Sequence, residues 1–327
     1  MAVLLKKRPL LPALTLLLTV NFAAAADPSD WYPFTPTNVN TAQGVIGLND
    51  WNNEPAGLHG RITRREDELV YNGHPIKLWG TNIGFANSAP DKEKAASIVA
   101  FYKRFGLNAL RHHKHMDGPG WQGVQSEGSF VKFNPEALDR FDYFNHLLKE
   151  AGIYIKHSPT FGVKFGRDDA ERIPYWKEIG NFGEKPNARI KAAHGWIFLS
   201  TELQDLQIEQ TVNFLNHSNP YTGMRYAEDP FLFCVELFNE DSALFGATNG
   251  RLQASPTIRK RIAGEFTVWL QRKYENESAW KAAWGAEAVV DNPQQISNGH
   301  LRNMIGVDKV KGPFPAESFD AGSIVPW

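Results

Sequence analysis

From Ile76 onward two spacings of apolar residues alternate along the chain. IKLWGTN (76–82), LNALRHH (107–113), IYIKHS (153–158) and FLFCVELFNE (231–240) are short, nearly continuous apolar runs. Such runs read as strands buried on both faces. Between the first two, Ala95, Ile98, Val99 and Tyr102 recur at helical spacing, with Asp91 and Glu93 in the first turn and Gly106 past the end, which predicts a helix over 90–105. Asn134-Pro135 supplies a cap and a first-turn residue for a second helix through Leu138, Phe141, Leu148 and Ala151, closed by Gly152. A third helix, capped by Thr201, carries Ile208, Thr211, Val212 and Leu215 on one face, and Ser255-Pro256 opens a fourth through Ile258, Ile262, Phe266, Trp269 and Leu270. The order βαβαβαβ predicts an α/β fold with a parallel sheet covered by helices.

Ahead of this rhythm, residues 27–75 are rich in Pro, Gly and Asn and end in DELVYNGHPIKLWG, a hairpin pattern turning on Asn72-Gly73. Residues 1–26 read as a secretory signal peptide: Lys6, Lys7 and Arg8, an apolar run from Leu10 to Val20, then Ala23 to Ala26. The expected location is therefore secreted or periplasmic. The apolar run is shorter than the roughly 20 residues that span a bilayer, so the mature form is expected to have no membrane segment. The 327 residues divide into 1–26 as signal peptide, 27–75 as extension and hairpin, and 76–327 as the α/β domain, with a helical insertion around 255–285.

Charge and composition narrow the partners. Loss of Lys6, Lys7 and Arg8 with the signal takes the formal charge from −1 to −4, and no basic stripe is present, which argues against nucleic acid. The single cysteine, Cys234, sits inside an apolar strand and forms neither an internal disulfide nor a zinc cluster. No Gly-rich phosphate loop follows any strand, so no cofactor is expected. Ten Trp, nine Tyr and twenty-one Phe supply flat faces that suit sugar rings as well as cores.

Ligands of parallel α/β folds bind beyond the carboxyl ends of the strands. All four predicted ends are polar: Thr81 and Asn82, Arg111 to His113, Lys156 and His157, Asn239 and Glu240. A carboxyl at the end of an apolar strand, partly stripped of water, holds its proton toward neutrality and suits a general acid. Asn-Glu also occurs at Asn53-Glu54 and Asn276-Glu277, but only Asn239-Glu240 ends a parallel strand.

Strand-ending NE, with GTN on the first strand and LNALRHH on the second, resembles the (β/α)8 glycoside hydrolases of clan A, especially cellulase- and mannanase-like (family 5-like) members. The similarity spans about Leu69 to Gly285 and includes YENESAWKAAWG, which resembles a helical insertion after strand four in some bacterial members. The resemblance implies a TIM-barrel fold, of which this chain holds about the first four βα units, and a carbohydrate substrate, with glucan, mannan and galactan all open. It implies Glu240 as acid/base, Asn239 as the amide on the sugar 2-hydroxyl, and Arg111 as the arginine that steadies the nucleophile. His113, His157, Asn82 and Trp121 are expected to line the substrate. Glu236 matches an inward-facing position where an ion pair and a chemical role are both open.

Retaining hydrolysis also needs a second carboxylate about 5–5.5 Å from the first, which the clan supplies from strand seven. Four strands and a short tail do not reach it, so the chain is expected to be the N-terminal portion of a longer enzyme, with its nucleophile absent. Asp117 is the best-placed alternative, at the wider spacing of inverting chemistry. Two competing readings stand beside this one. His113, His115 and Asp117 have the HxHxD spacing that resembles metallo-β-lactamase-like hydrolases, although Gly118 stands where that pattern continues with histidine. Alternatively, a secreted fragment with loop aromatics such as Trp121, Trp176 and Trp196 binds polysaccharide without cleaving it.

Overall fold

The computed structural model describes residues 47–192, 195–241 and 255–274, with short pieces at 276, 278–279, 282, 295–297 and 318–320. The signal at 1–26, most of YENESAWKAAWG and most of the tail lie outside the described residues. So does the whole of a first contact unit, Met1–Val39, and every described element belongs to the second, Asn40–Trp327.

A small antiparallel meander comes first: β1 (Thr63–Arg65), β2 (Glu68–Tyr71) and β3 (His74–Pro75). Asn72 and Gly73, at φ 49° and 79°, form the two-residue turn between β2 and β3, a left-handed pair that matches strand twist. The meander packs at the amino-terminal end of the main sheet. Tyr71 meets Tyr154 edge-on at 5.8 Å, and the Gly57 N–H donates to Tyr154 Oη at 3.1 Å. Gly57 has φ 80°, and a Cβ there would lie 2.7 Å from Pro230 Cβ, so both backbone and space demand glycine.

The main sheet holds β4 (Gly80–Gly84), β5 (Ala109–His113), β6 (Tyr154–Ser158) and β11 (Leu232–Val235), paired parallel throughout in the order β11-β6-β5-β4. Helices α1 (Lys92–Arg104), α2 (Pro135–Glu150) and α4 (Thr201–Asn216) occupy the three crossovers. The α/β expectation and the sequential strand order hold.

Three boundaries differ from the pattern. β4 starts at Gly80, four residues late, because Ile76 N–H is taken by Leu69 O in the hairpin and Asn108 side-chain bonds hold Lys77 and Trp79. The cap of α4 is Ser200, whose Oγ accepts from Leu203 N at 3.2 Å, with Thr201 the first helical residue. β11 stops at Val235 after one further bond, from Glu236 N–H to His157 O, beyond which Leu237 and Phe238 are exposed.

Between β6 and α4 the chain contains a two-stranded ladder of β7 (Lys164–Phe165) and β8 (Ile190–Lys191), with the single-turn α3 (Trp176–Ile179) between them. A second ladder, β9 (Ser218–Asn219) with β10 (Met224–Arg225), precedes β11. Leu110, Ile155, Phe141, Phe144, Leu148 and Phe214 form the core between sheet and helices. A second cluster gathers Phe130, Phe165, Trp196, Leu203, Leu206 and Ile258, the last from α5 (Pro256–Lys273). Trp196 is thus a core residue that offers no face to a polysaccharide, while Trp176 packs, partly buried, against the same cluster.

Candidate active site

Alternation along the strands sorts their residues between two faces. Leu110, His112, Ile155 and His157 turn toward the helices and are buried. Their register partners one step on, Arg111 beside Lys156 and His113 beside Ser158, turn to the opposite face. On β11 a bulge between Leu232 and Cys234 decides the matter: Leu232 pairs with Ile155, but Cys234, two residues on, pairs with Lys156. An unbulged strand would aim Glu236 at the helices. The extra residue turns it to the Arg111 face instead.

The result is a compact polar cluster at the carboxyl ends of the strands. Arg111 donates to Glu236 Oε2 from Nε at 3.1 Å and from Nη2 at 2.7 Å, to Ser158 Oγ at 3.1 Å, and through a short bond to Asn239 Oδ1. Lys156 Nζ lies 3.4 Å from the same Glu236 oxygen. His113 Nδ1 lies 3.0 Å from Ser158 Oγ. Burial works against the charge on Glu236, but hydrogen bonds from Ser158 and Arg111 and the charges of Arg111 and Lys156 outweigh it and hold the carboxyl below its usual range. Of the two roles open to Glu236, the geometry realises the ion pair. His113 is held below its ordinary range by burial first, then by Arg111 and Lys114, while the charges of Glu236 and Glu240 pull the other way. That last influence puts Glu240 within electrostatic reach of the cluster.

Glu240 itself is exposed, so the strand's apolar walls do not cover it, while Asn239 beside it is buried. With Oδ1 taken by Arg111, the Asn239 amide nitrogen remains as the donor. Asp241 Oδ1 accepts from Gly195 N at 2.6 Å and anchors the chain just past the site.

The backbone marks this rim a second way. Five described non-glycine residues have positive φ; Glu66 and Asn72 belong to the hairpin, and the other three are Phe85 (57°), Lys114 (56°) and Glu240 (45°). Phe85 and Lys114 directly follow β4 and β5, and Glu240 lies just beyond β11. Left-handed backbone costs a residue with a Cβ roughly 1–2 kcal/mol, and such strain collects at functional sites.

The other sequence-predicted residues divide. Asn82 is exposed on the edge strand, in register with Arg111. Trp121 is 70% exposed on the rim, its ring 5.4 Å from that of Phe85. His157 is not brought to the cluster: it lies on the helix face, 1% exposed, stacked on Phe214 at 4.0 Å. Asp117 is buried and bonded to Lys164 and Thr160, so it is not free to act as a second carboxylate. The metal-site spacing is not realised either. His113 faces Ser158, His115 stacks on Phe141 at 5.0 Å, and Asp117 is held by Lys164. No group of three metal-ligating side chains converges among the described residues. Sequence reasoning misses Ser158, Lys114, Phe85 and Phe161, although each lies at or just past a strand end, where the polar rim could have been sought. A cavity of about 710 Å³ lies apart from the cluster, between the β4 end and α1, lined by Ile83, Pro90, Ile98, Phe101 and Arg140 among others.

No family model and no curated protein matches the chain. Among solved structures it is similar to an endo-1,4-beta-mannanase from Rhizomucor miehei, at 18% identity and TM-score 0.42, over 66% of this chain and 59% of that one. It is also similar to a hyperthermostable endo-1,4-beta-D-mannanase from Thermotoga petrophila, at 17% and 0.37, over 59% and 52%. A third is a glycoside hydrolase family 5 mannosidase from Rhizomucor miehei, at 13% and 0.36, over 68% and 54%. The chain thus spans between half and three fifths of the length of those structures. Scores of this size do not place it in a family; its fold class rests on its own four parallel strands.

Proposed function

We propose that this chain is the substrate-binding and acid/base half of an exported glycoside hydrolase. The observation that carries the reading is the Arg111–Glu236–Asn239 network at the strand ends, beside a carboxyl held on a left-handed backbone at Glu240. Glu240 makes no bond to the network among the described residues, and its role as general acid and then general base rests on bound substrate covering the exposed carboxyl. Asn239, pinned through its oxygen, points its amide at a sugar hydroxyl. Arg111, Asn82, His113 and Trp121 line the same side. Glu236 is committed to Arg111 and Lys156, so the nucleophile of a retaining mechanism comes from outside the described residues. Export through residues 1–26 belongs to the same proposal.

Glucan, mannan and galactan oligosaccharides, and aryl glycosides with good and poor leaving groups, test it. Glu240→Gln is expected to lose about 10²–10⁴-fold in rate where the leaving group needs a proton, and far less where it does not. Equal losses on both would remove Glu240 from the acid role. Binding without turnover by the unmutated full-length protein, second carboxylate included, would favour the binding-module reading instead.

A further inference from the structure

One cation on the rim is left out of the ion-pair network. Arg111 and Lys156 share Glu236, and Lys164 is paired with Asp117. Lys114 has no carboxylate partner among the described residues. Its Nζ rests 4.2 Å from the centre of the Phe161 ring and 5.6 Å from that of Phe85, and Lys191 approaches the same Phe161 ring at 5.8 Å. Lys114 is only half-buried and sits on a left-handed backbone, φ 56°, directly after β5. An ammonium parked on aromatic faces keeps its charge and gains a modest attraction, without a neutralising partner.

Phe85 is shared between this cation and Trp121. The Trp121 ring lies 5.4 Å from Phe85 on a largely exposed side chain, and Phe85 itself has a strained backbone at φ 57°. The exposed face of Trp121, tilted 50° to the Phe85 ring, suits the underside of a pyranose, and Phe85 links it to a positive charge that has no carboxylate partner among the described residues. We infer that this rim subsite takes an anionic sugar residue, a pyranose bearing a carboxylate or sulfate ester, with Trp121 and Phe85 packing the ring and Lys114 meeting the negative group. This rests on the reading of the rim as a glycan cleft and adds to it the class of glycan.

Calorimetric titration of the full chain carrying Glu240→Gln separates binding from turnover. The probes are oligogalacturonate, a sulfated galactan oligosaccharide and an uncharged galactan oligosaccharide of equal length. At least one charged probe is expected to bind roughly tenfold more tightly than the uncharged one at low salt, with the margin shrinking as salt rises. The two charged arms show whether carboxylate or sulfate is preferred. Lys114→Met is expected to erase the margin while leaving neutral binding, Lys114→Arg to keep it, and Trp121→Ala to weaken all three probes. Equal affinity for charged and uncharged probes, or a margin that survives Lys114→Met, overturns the inference. Hydrolysis is assayed separately on the unmutated full-length protein, second carboxylate included. Turnover with no charge preference sinks only the Lys114 subsite, and a charge preference with no turnover sinks only the hydrolase reading.

Discussion

Arg111 is the residue on which the strand-end cluster turns, because one guanidinium holds three partners from β6 and the segment after β11. A planar fork can do this and a point charge cannot. Arg111→Lys is therefore expected to keep the charge balance of Glu236 but to free the Asn239 amide, lowering activity at unchanged fold. Arg111→Met removes the charge as well. It should raise the titration midpoint of Glu236, readable from the carboxyl carbon by NMR, and cost about 1–2 kcal/mol for a pair between the exposed and buried limits. An unmoved Glu236 midpoint would mean that Lys156 and Ser158 carry the effect alone. At this scale the sequence shows which residue types end the strands, so Arg111, Asn239 and Glu240 can be picked out. It does not show their facing. The sequence pattern puts His157 in the cleft, yet it sits one pleat position away from Ser158 and points to Phe214.

Among the elements, helices are more legible than strands, for a physical reason. Caps are local chemistry: Asn134 Oδ1 accepts from Ala137 N at 2.9 Å, as the Asn-Pro pair foretells. Asn134→Ala is expected to cost about 1 kcal/mol in chemical denaturation and Asn134→Gly only a few tenths, since glycine leaves the cap backbone accessible to water. Equal losses would show that the helix start is set by packing of Phe141 and Phe144 instead. Strand ends depend on partners far along the chain. Ile76 belongs to the hairpin because Leu69 accepts its N–H, and nothing in IKLWGTN announces this. The β11 bulge is the sharper case. FLFCV reads as an unbroken apolar run, and its one extra residue decides whether Glu236 meets Arg111 or the helix layer.

For the whole molecule, the buried face of the sheet sets the response to acid. His112, His115 and His157 are all buried between sheet and helices, with ring centres 5.6 Å apart for the first two and 4.8 Å for the last two. His112 bonds Asn145 Oδ1, while neither nitrogen of His157 has a partner among the described residues. Burial pushes His112 down to about 4 and His157 to about 3, and it pushes His115 down in the same direction, reinforced by its two neighbours. Unfolded imidazoles take up a proton near pH 6.5. Below that the unfolded chain binds more protons than the folded one, so stability is full above about pH 6.5 and drains away as pH falls toward 4 and then 3. The melting temperature is expected to fall steeply between pH 6.5 and 4. His157→Phe keeps an aromatic ring against Phe214 and removes one of the three titrating groups together with two unpartnered nitrogens. It should melt higher than the parent at pH 5 by a margin that narrows by pH 8. Parallel melting curves across that range would place the acid sensitivity elsewhere in the chain.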